Sequence, residues 1–257
     1  MVTKKSIFLT FIICLLAGAA SFAATKMITP EAELQKQFPK LRYKSISKTD
    51  IDGFYEIMTS DRIIYFHPKS GYLFIGEIVN KEGRSLTMER YAEERYKLLT
   101  ADDLNKAIKI GSGKNIVVEV TDPDCSFCRK MHVYWNMRQD VTRYVFFKPL
   151  DIHPEALKKS QHILTAKNRE KALFEVYCGN LDGKKEILDK VNDEKGLLES
   201  HIAVAAKLQV SGTPAYWVNG KFVSGANIPM IEKIIGKSSA AGTAVHNNSG
   251  ANCGEAK

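Results

Sequence analysis

Ile116-Val117-Val118-Glu119-Val120-Thr121-Asp122-Pro123-Asp124-Cys125-Ser126-Phe127-Cys128 decides the reading of this chain. The opening run is short and β-branched, so it reads as a buried strand rather than a helix. Thr121-Asp122-Pro123-Asp124 breaks it, and a helix is expected from Cys125 onward. Cys125 then sits at a helix N-terminus, where unpaired N–H groups and the macrodipole favour a thiolate. Cys128 lies one turn further in, placed to close a disulfide with it.

This context points to redox chemistry. A four-cysteine zinc site needs a second close Cys or His pair, and Cys178 and Cys253 stand alone in the sequence. A structural disulfide across so short a gap removes little chain entropy. No metal or cofactor is expected.

The compartment is read from the N-terminus. Lys4-Lys5 forms a basic region, Ile7 to Ala20 an apolar one, and Ser21-Phe22-Ala23 offers small residues for cleavage. The apolar run is shorter than the roughly 17 residues a spanning helix needs. A signal peptide at 1–23 is therefore expected, with Cys14 lost on cleavage and the mature protein exported to a compartment where disulfides form. The 257 residues carry a formal net charge of +8. Basic residues are interleaved with acids, as in Lys171, Glu175, Lys184, Lys185 and Glu186, which argues against a nucleic-acid partner.

Before the central strand, short alternating runs at Tyr43 to Ile46, Phe54 to Met58, Ile63 to Phe66 and Tyr72 to Val79 predict a meander. A helix with Leu34, Phe38 and Leu41 on one side precedes it. So small a sheet buries little apolar surface alone, and completing its core by self-association fits it. Met88, Tyr91, Ala92, Tyr96 and Leu99 form a helical stripe, and Thr100 with Asp103 predicts a capping box restarting the helix towards Ile108.

After the cysteines come a second strand at Arg143 to Phe147 and a helical block over 154–207, with breaks near Asn168, Gly179-Asn180 and Asn192-Asp193. Ala215 to Val218 and Lys221 to Val223 flank Asn219-Gly220, a strong hairpin signal, and a last helix starts near Pro229. This order is thioredoxin-like. In Val210-Ser211-Gly212-Thr213-Pro214-Ala215 the proline precedes a strand, and in such a fold a cis bond is expected there. It leaves neighbouring backbone free to pair with an extended substrate. Residues 238–257 are rich in small polar residues and read as a disordered tail.

The β meander, helical stretch, Thr-Asp-x-x-Cys-x-x-Cys start and Val-Ser-Gly-Thr-Pro-Ala loop resemble the DsbC/DsbG family of periplasmic disulfide isomerases. The resemblance implies an α+β chain: a small cystatin-like sheet domain at 24–86, a helical linker at 87–112, and a thioredoxin-like domain with a helical insertion at 113–237. It implies a V-shaped homodimer joined through the N-terminal domains, whose shared uncharged cleft binds misfolded exported proteins. It also implies a membrane electron donor of the DsbD type. Carried over, Cys125 is the nucleophile, Cys128 the resolving thiol, and Thr213 and cis-Pro214 shape the substrate groove. Two departures stand out. Ser126-Phe127 replaces the Gly-Tyr or Pro-Tyr of well-known members, and only Cys178 occupies the region where the DsbC branch has a second disulfide, so that bridge is expected to be absent.

Glu119 has two readings, a buried acid relaying protons to Cys128 or a strand residue facing solvent. Cys178 reads as a buried thiol, with a pairing to Cys253 of the tail as the lesser alternative, and His132 as a helix-surface residue. The function expected is a thiol:disulfide oxidoreductase acting mainly as an isomerase. The alternatives are a reductase of oxidised single thiols in envelope proteins and a dimeric holdase chaperone.

Overall fold

The computed structural model describes residues 29–237. The expected signal peptide with Cys14, and the expected tail with Cys253, lie outside the described residues. Two compact units meet at the Ile75/Gly76 boundary. Among the described residues no helix is long and apolar enough to cross a membrane.

In the first unit, α1 (Pro30–Gln37) starts on Thr29, whose side chain accepts from the Ala32 N–H, with proline in its first turn. The strands β1 (Ser45–Lys48), β2 (Tyr55–Met58), β3 (Ile63–His67) and β4 (Tyr72–Phe74) form an antiparallel meander in sequence order. Leu34, Ile57, Ile64 and Phe66 make its core, with Phe38, Leu41 and Leu73 packed around them. The last strand stops at Phe74, short of the expected Val79, which instead bridges to Ser85 beyond the unit boundary.

The second unit opens with α2 (Leu86–Tyr96) and α3 (Ala101–Lys106). The capping box at Thr100 and Asp103 is present. The helix does not continue to Ile108. Ile108–Ile110 forms β5 instead, antiparallel to β7 (Val141–Phe147), because an alternating β-branched triplet there completes an open sheet edge. At Gly113 the chain passes so close to Asp140 that a Cβ would lie 2.0 Å from its carbonyl carbon, so no other residue fits.

The central strand β6 (Asn115–Thr121) is followed by α4 (Ser126–Asn136) and then by β7, parallel to it. A helical block follows: α5 (Ala156–Thr165), α6 (Arg169–Tyr177), α7 (Lys185–Leu188) and α8 (Leu197–Lys207). Its breaks fall where Asn168, Gly179 and Asn192 interrupt the pattern. The hairpin β8 (Ala215–Val218) and β9 (Lys221–Ser224) turns on Asn219 and Gly220, with φ of 49° and 81°, as a two-residue turn of this kind requires. The last helix is α9 (Ile228–Ile235). Strand order is β5-β7-β6-β8-β9.

Side-chain alternation sorts the two faces of β6. Val118 and Val120 pack with Ala92, Val204, Ala205, Leu208 and Trp217, under α2 and α8. Val117 packs with Met131, Tyr134 and Trp135 of α4. Glu119 and Thr121 share that second face by the period of two. All three valines are fully buried, each contributing about 1.5–3 kcal/mol of transfer free energy. The central strand is thereby fixed under the start of α4.

Candidate active site

Cys125 is the N-cap of α4, with φ −72° and ψ 120°, and its carbonyl accepts the first helical bond from Arg129 N–H at 3.0 Å. Its own N–H is held by the Asp122 carbonyl at 3.2 Å. Asp122 fixes this turn. Fully buried, its carboxylate accepts from Asp124 N–H at 2.7 Å, from Leu150 N–H at 2.7 Å, and pairs with His153 Nδ1 at 2.9 Å. The first of these is an Asx turn, which the Asp-Pro-Asp sequence favours.

The two thiols are free and differ sharply. Cys125 keeps 6% of its surface and Cys128 none. A hydrogen bond from the Cys128 thiol, joined by the Cys128 and Phe127 N–H groups, pulls Cys125 down to about 5 against the opposing effect of burial. Burial, and the Cys125 sulfur beside it, push Cys128 far above the ordinary thiol range. The pair is built as one accessible thiolate and one protected thiol.

The second element arrives from β8. The Thr213-Pro214 peptide is cis, as expected, and the Thr213 carbonyl oxygen lies 3.5 Å from Cys125 Sγ, a bond the thiol makes only when protonated. Beside this loop opens a cavity of about 630 Å³, lined by Thr213 and Pro214 together with Met88, Trp217, Phe222 and Met230.

Glu119 faces inward, not to solvent. It is 2% exposed, with Oε2 3.8 Å from Arg143 Nη1 of β7, and burial raises its pKa. His132 is also buried, contrary to the surface position expected. Its Nε2 meets Asn136 Nδ2 at 2.9 Å, its ring packs on Phe174 and Tyr177, and burial lowers its pKa to about 3. The second helix face of α4 packs on α6, which a lone helix pattern does not reveal.

Cys178 is disulfide-bonded and half-buried, so the free buried thiol expected from its helical stripe is corrected. Its partner lies outside the described residues.

Sequence reasoning missed an ionic cage beneath Asp124. Lys159 of α5, 2% exposed, places Nζ 2.6 Å from Asp124, 2.9 Å from Glu155 and 2.6 Å from Asp182. Arg129 joins it, bonding Asp182 through both terminal nitrogens, Asp124 at 3.1 Å and the Pro123 carbonyl at 2.7 Å. These three carboxylates are grouped closely enough for a cation, and the Lys159 ammonium already occupies their focus. No local motif announces this, because its members come from three separate elements.

Residues 18–88 match the family described as disulfide bond isomerase protein N-terminal domain, and residues 102–235 the thioredoxin-like domain family. The thiol:disulfide interchange protein DsbC of Escherichia coli K12 is 25% identical over 224 residues, covering 84% of this chain and 89% of that protein. The probable DsbC of Bordetella parapertussis is 24% identical over 208 residues, covering 77% of this chain and 71% of that protein. A crystal structure of a disulfide interchange protein from Neisseria gonorrhoeae is 31% identical, with a TM-score of 0.43 over 54% of this chain and 99% of that one. With both domain types in sequence order and a CxxC pair at the helix start, the chain belongs to the DsbC/DsbG-type family of thiol:disulfide interchange proteins.

Proposed function

We propose that Cys125 is the nucleophile and Cys128 the resolving thiol of a periplasmic disulfide isomerase acting on exported proteins. The observation that carries this reading is the asymmetry of the pair, with Cys125 lowered to about 5 and Cys128 raised and sealed. At neutral pH the Cys125 thiolate attacks a client disulfide. One client sulfur bonds to Cys125 and the other leaves as a thiolate. A client thiol then displaces Cys125 to give a new pairing, or Cys128 does so, leaving a reduced client and an oxidised Cys125–Cys128 pair.

Thr213 and Pro214 form the groove in this reading. Proline lacks an N–H, so the Thr213 backbone stays available to an extended client segment, and the adjoining cavity receives client side chains. Glu119 serves as the buried proton acceptor for Cys128.

The first compact unit, up to Ile75, acts as the assembly module of a homodimer, and the unit from Gly76 onward, with the helical segment 87–112 built into it, acts as the catalytic module. Tyr72, Phe74 and Ile75, at and just beyond the edge strand β4, are 65%, 45% and 72% exposed, which supports self-association there. A membrane electron donor of the DsbD type returns the pair to the dithiol.

The test is a substrate with scrambled disulfides, with aggregation of an unfolded thiol-free client measured in parallel. Cys125→Ser should abolish isomerisation, and Cys128→Ser should accumulate a mixed disulfide through Cys125. Isomerisation that survives Cys125→Ser defeats the assignment, and aggregation suppression as the sole activity favours a holdase.

A further inference from the structure

One side of α2 carries Met88, Ala92 and Arg95 in a single helical stripe, continuing from Ser85 at its N-cap. Trp217 holds this stripe in place, because its indole N–H is bonded to the Ala92 carbonyl at 2.8 Å. The stripe forms one wall of the 630 Å³ cavity, and the loop carrying Thr213 and Pro214 forms another. The Thr213 carbonyl oxygen is 3.5 Å from Cys125 Sγ, so the cavity adjoins the wall against which the reacting sulfur sits.

Two kinds of side chain meet there. Met88, Met230, Phe222 and the fully buried Trp217 make an apolar surface. Thioethers beside aromatic rings are deformable and accept bulky side chains of differing shape. The charged lining residues are Arg84, Glu89 and Arg95. Arg84 Nε lies 3.5 Å from Glu89 Oε1, and these two offset each other. Arg95 has no carboxylate partner among the described residues, and its guanidinium lies 5.3 Å from the centre of the Tyr91 ring. The cavity therefore combines an apolar surface with one uncompensated positive charge. This departs from the uncharged client surface that the family resemblance implies.

We propose that this cavity is a specificity pocket for acidic client segments, taking a bulky apolar side chain near the attacked cysteine while Arg95 pairs with a neighbouring carboxylate. This rests on Cys125 being the nucleophile. A client strand paired along Thr213 carries the residues flanking its cysteine past the cavity mouth. A guanidinium binds a carboxylate through two parallel hydrogen bonds and repels a lysine or arginine at the same place, so it selects between clients as well as attracting them.

The experiment uses the full reduced chain and short peptides, each with a single cysteine joined to nitrothiobenzoate. The Cys125 thiolate attacks the peptide sulfur, a Cys125–peptide S–S bond forms, and the chromophore leaves with its electron pair as a coloured thiolate. The residues flanking the cysteine combine leucine or glycine with Asp, Asn or Lys. Each rate is divided by that of mercaptoethanol with the same peptide, which removes differences in intrinsic reactivity. Asp peptides should react about fivefold faster than Lys peptides at low salt, the upper end for one ion pair that water reaches, and the ratio should shrink in molar salt. Leucine should be preferred to glycine about tenfold. Arg95→Gln should level Asp and Lys, and Arg95→Glu should invert them, both with the leucine preference kept. Met88→Ala should weaken the leucine preference and keep that for Asp. Such crossed losses do not arise from general damage to the fold. Equal normalised rates for Asp and Lys peptides in the wild-type protein, or an Asp preference that survives Arg95→Glu, would overturn the pocket. Release of chromophore from none of the peptides would instead refute Cys125 as the nucleophile.

Discussion

Trp217 of β8 donates its indole N–H to the Ala92 carbonyl of α2 at 2.8 Å, and its ring stacks against Tyr96 at 6.4 Å. The helical stretch ahead of the catalytic core is therefore fastened to the sheet, through a fully buried tryptophan, beside the strand that presents Pro214.

Truncation should report this directly. A chain beginning at Gly76 should fold, be monomeric and reduce insulin, while losing far more isomerase than reductase activity. A chain beginning at Ser112 lacks α2, α3 and β5, exposes Trp217 and the β7 edge, and should fail to unfold cooperatively. Trp217→Phe in the whole protein should cost about 2–4 kcal/mol in denaturant unfolding, from the lost volume and hydrogen bond together. A cooperative Ser112 fragment would count against the helical stretch being part of the catalytic unit.

Acid should loosen the same unit through His201. Its Nδ1 accepts the Phe147 N–H at 3.1 Å, its Nε2 meets the Lys106 carbonyl at 2.9 Å, and burial lowers its pKa from 6.5 to about 4. With the folded value depressed, the unfolded chain binds the extra proton. The contribution is thus complete above about pH 6.5 and lost as pH falls towards 4, amounting to about 3 kcal/mol at most. His132, lowered to about 3 by burial, adds to the slope from the same side. His201→Gln should flatten the stability–pH curve over this window, as read by urea midpoints. An unchanged slope would show that His201 carries no such linkage.

Cys178→Ser should lower stability by about 2–4 kcal/mol, the usual worth of a native disulfide. The rate of Cys125 alkylation should not change. Equal stability of the two proteins under non-reducing conditions would mean that the bond contributes nothing to folding.

In cells the direction of electron flow decides the role. A thiolate as stable as Cys125 makes the disulfide oxidising, at roughly −180 to −120 mV, the range between protein disulfide isomerase and DsbA. Such a pair stays reduced in an oxidising compartment through a dedicated donor. Thiol trapping should find Cys125 and Cys128 reduced in unperturbed cells and oxidised when the membrane donor is deleted. Oxidised thiols in unperturbed cells would point to an oxidase.

Much of this was legible in the sequence because the signals were local. The strand from Ile116, the helix start at Cys125, the capping box at Thr100 and the Asn219-Gly220 turn each depend on neighbours in the chain, and the helical block broke where Asn and Gly interrupted it. What escaped depends on tertiary partners. Ile108–Ile110 became a strand because the β7 edge was open, and His132 was buried because α6 covers it. The Lys159 cage draws on α4, α5 and the loop after α6. Glu119 could not be oriented until the register of β6 against β7 was known, which sets Glu119 opposite Val145 and Val117 opposite Arg143.

The central claim is that Cys125 is the thiolate of the pair, and the pH dependence of alkylation tests it most directly. The fully reduced protein is treated briefly with iodoacetamide from pH 3.5 to 9, and each cysteine is quantified by peptide mass spectrometry. Cys125 should be labelled ahead of Cys128, with a rate that rises through a midpoint near 5 and is level by pH 7, while Cys128 stays protected throughout. Preferential labelling of Cys128, or a Cys125 midpoint near the ordinary thiol value of 9.0, would contradict the account.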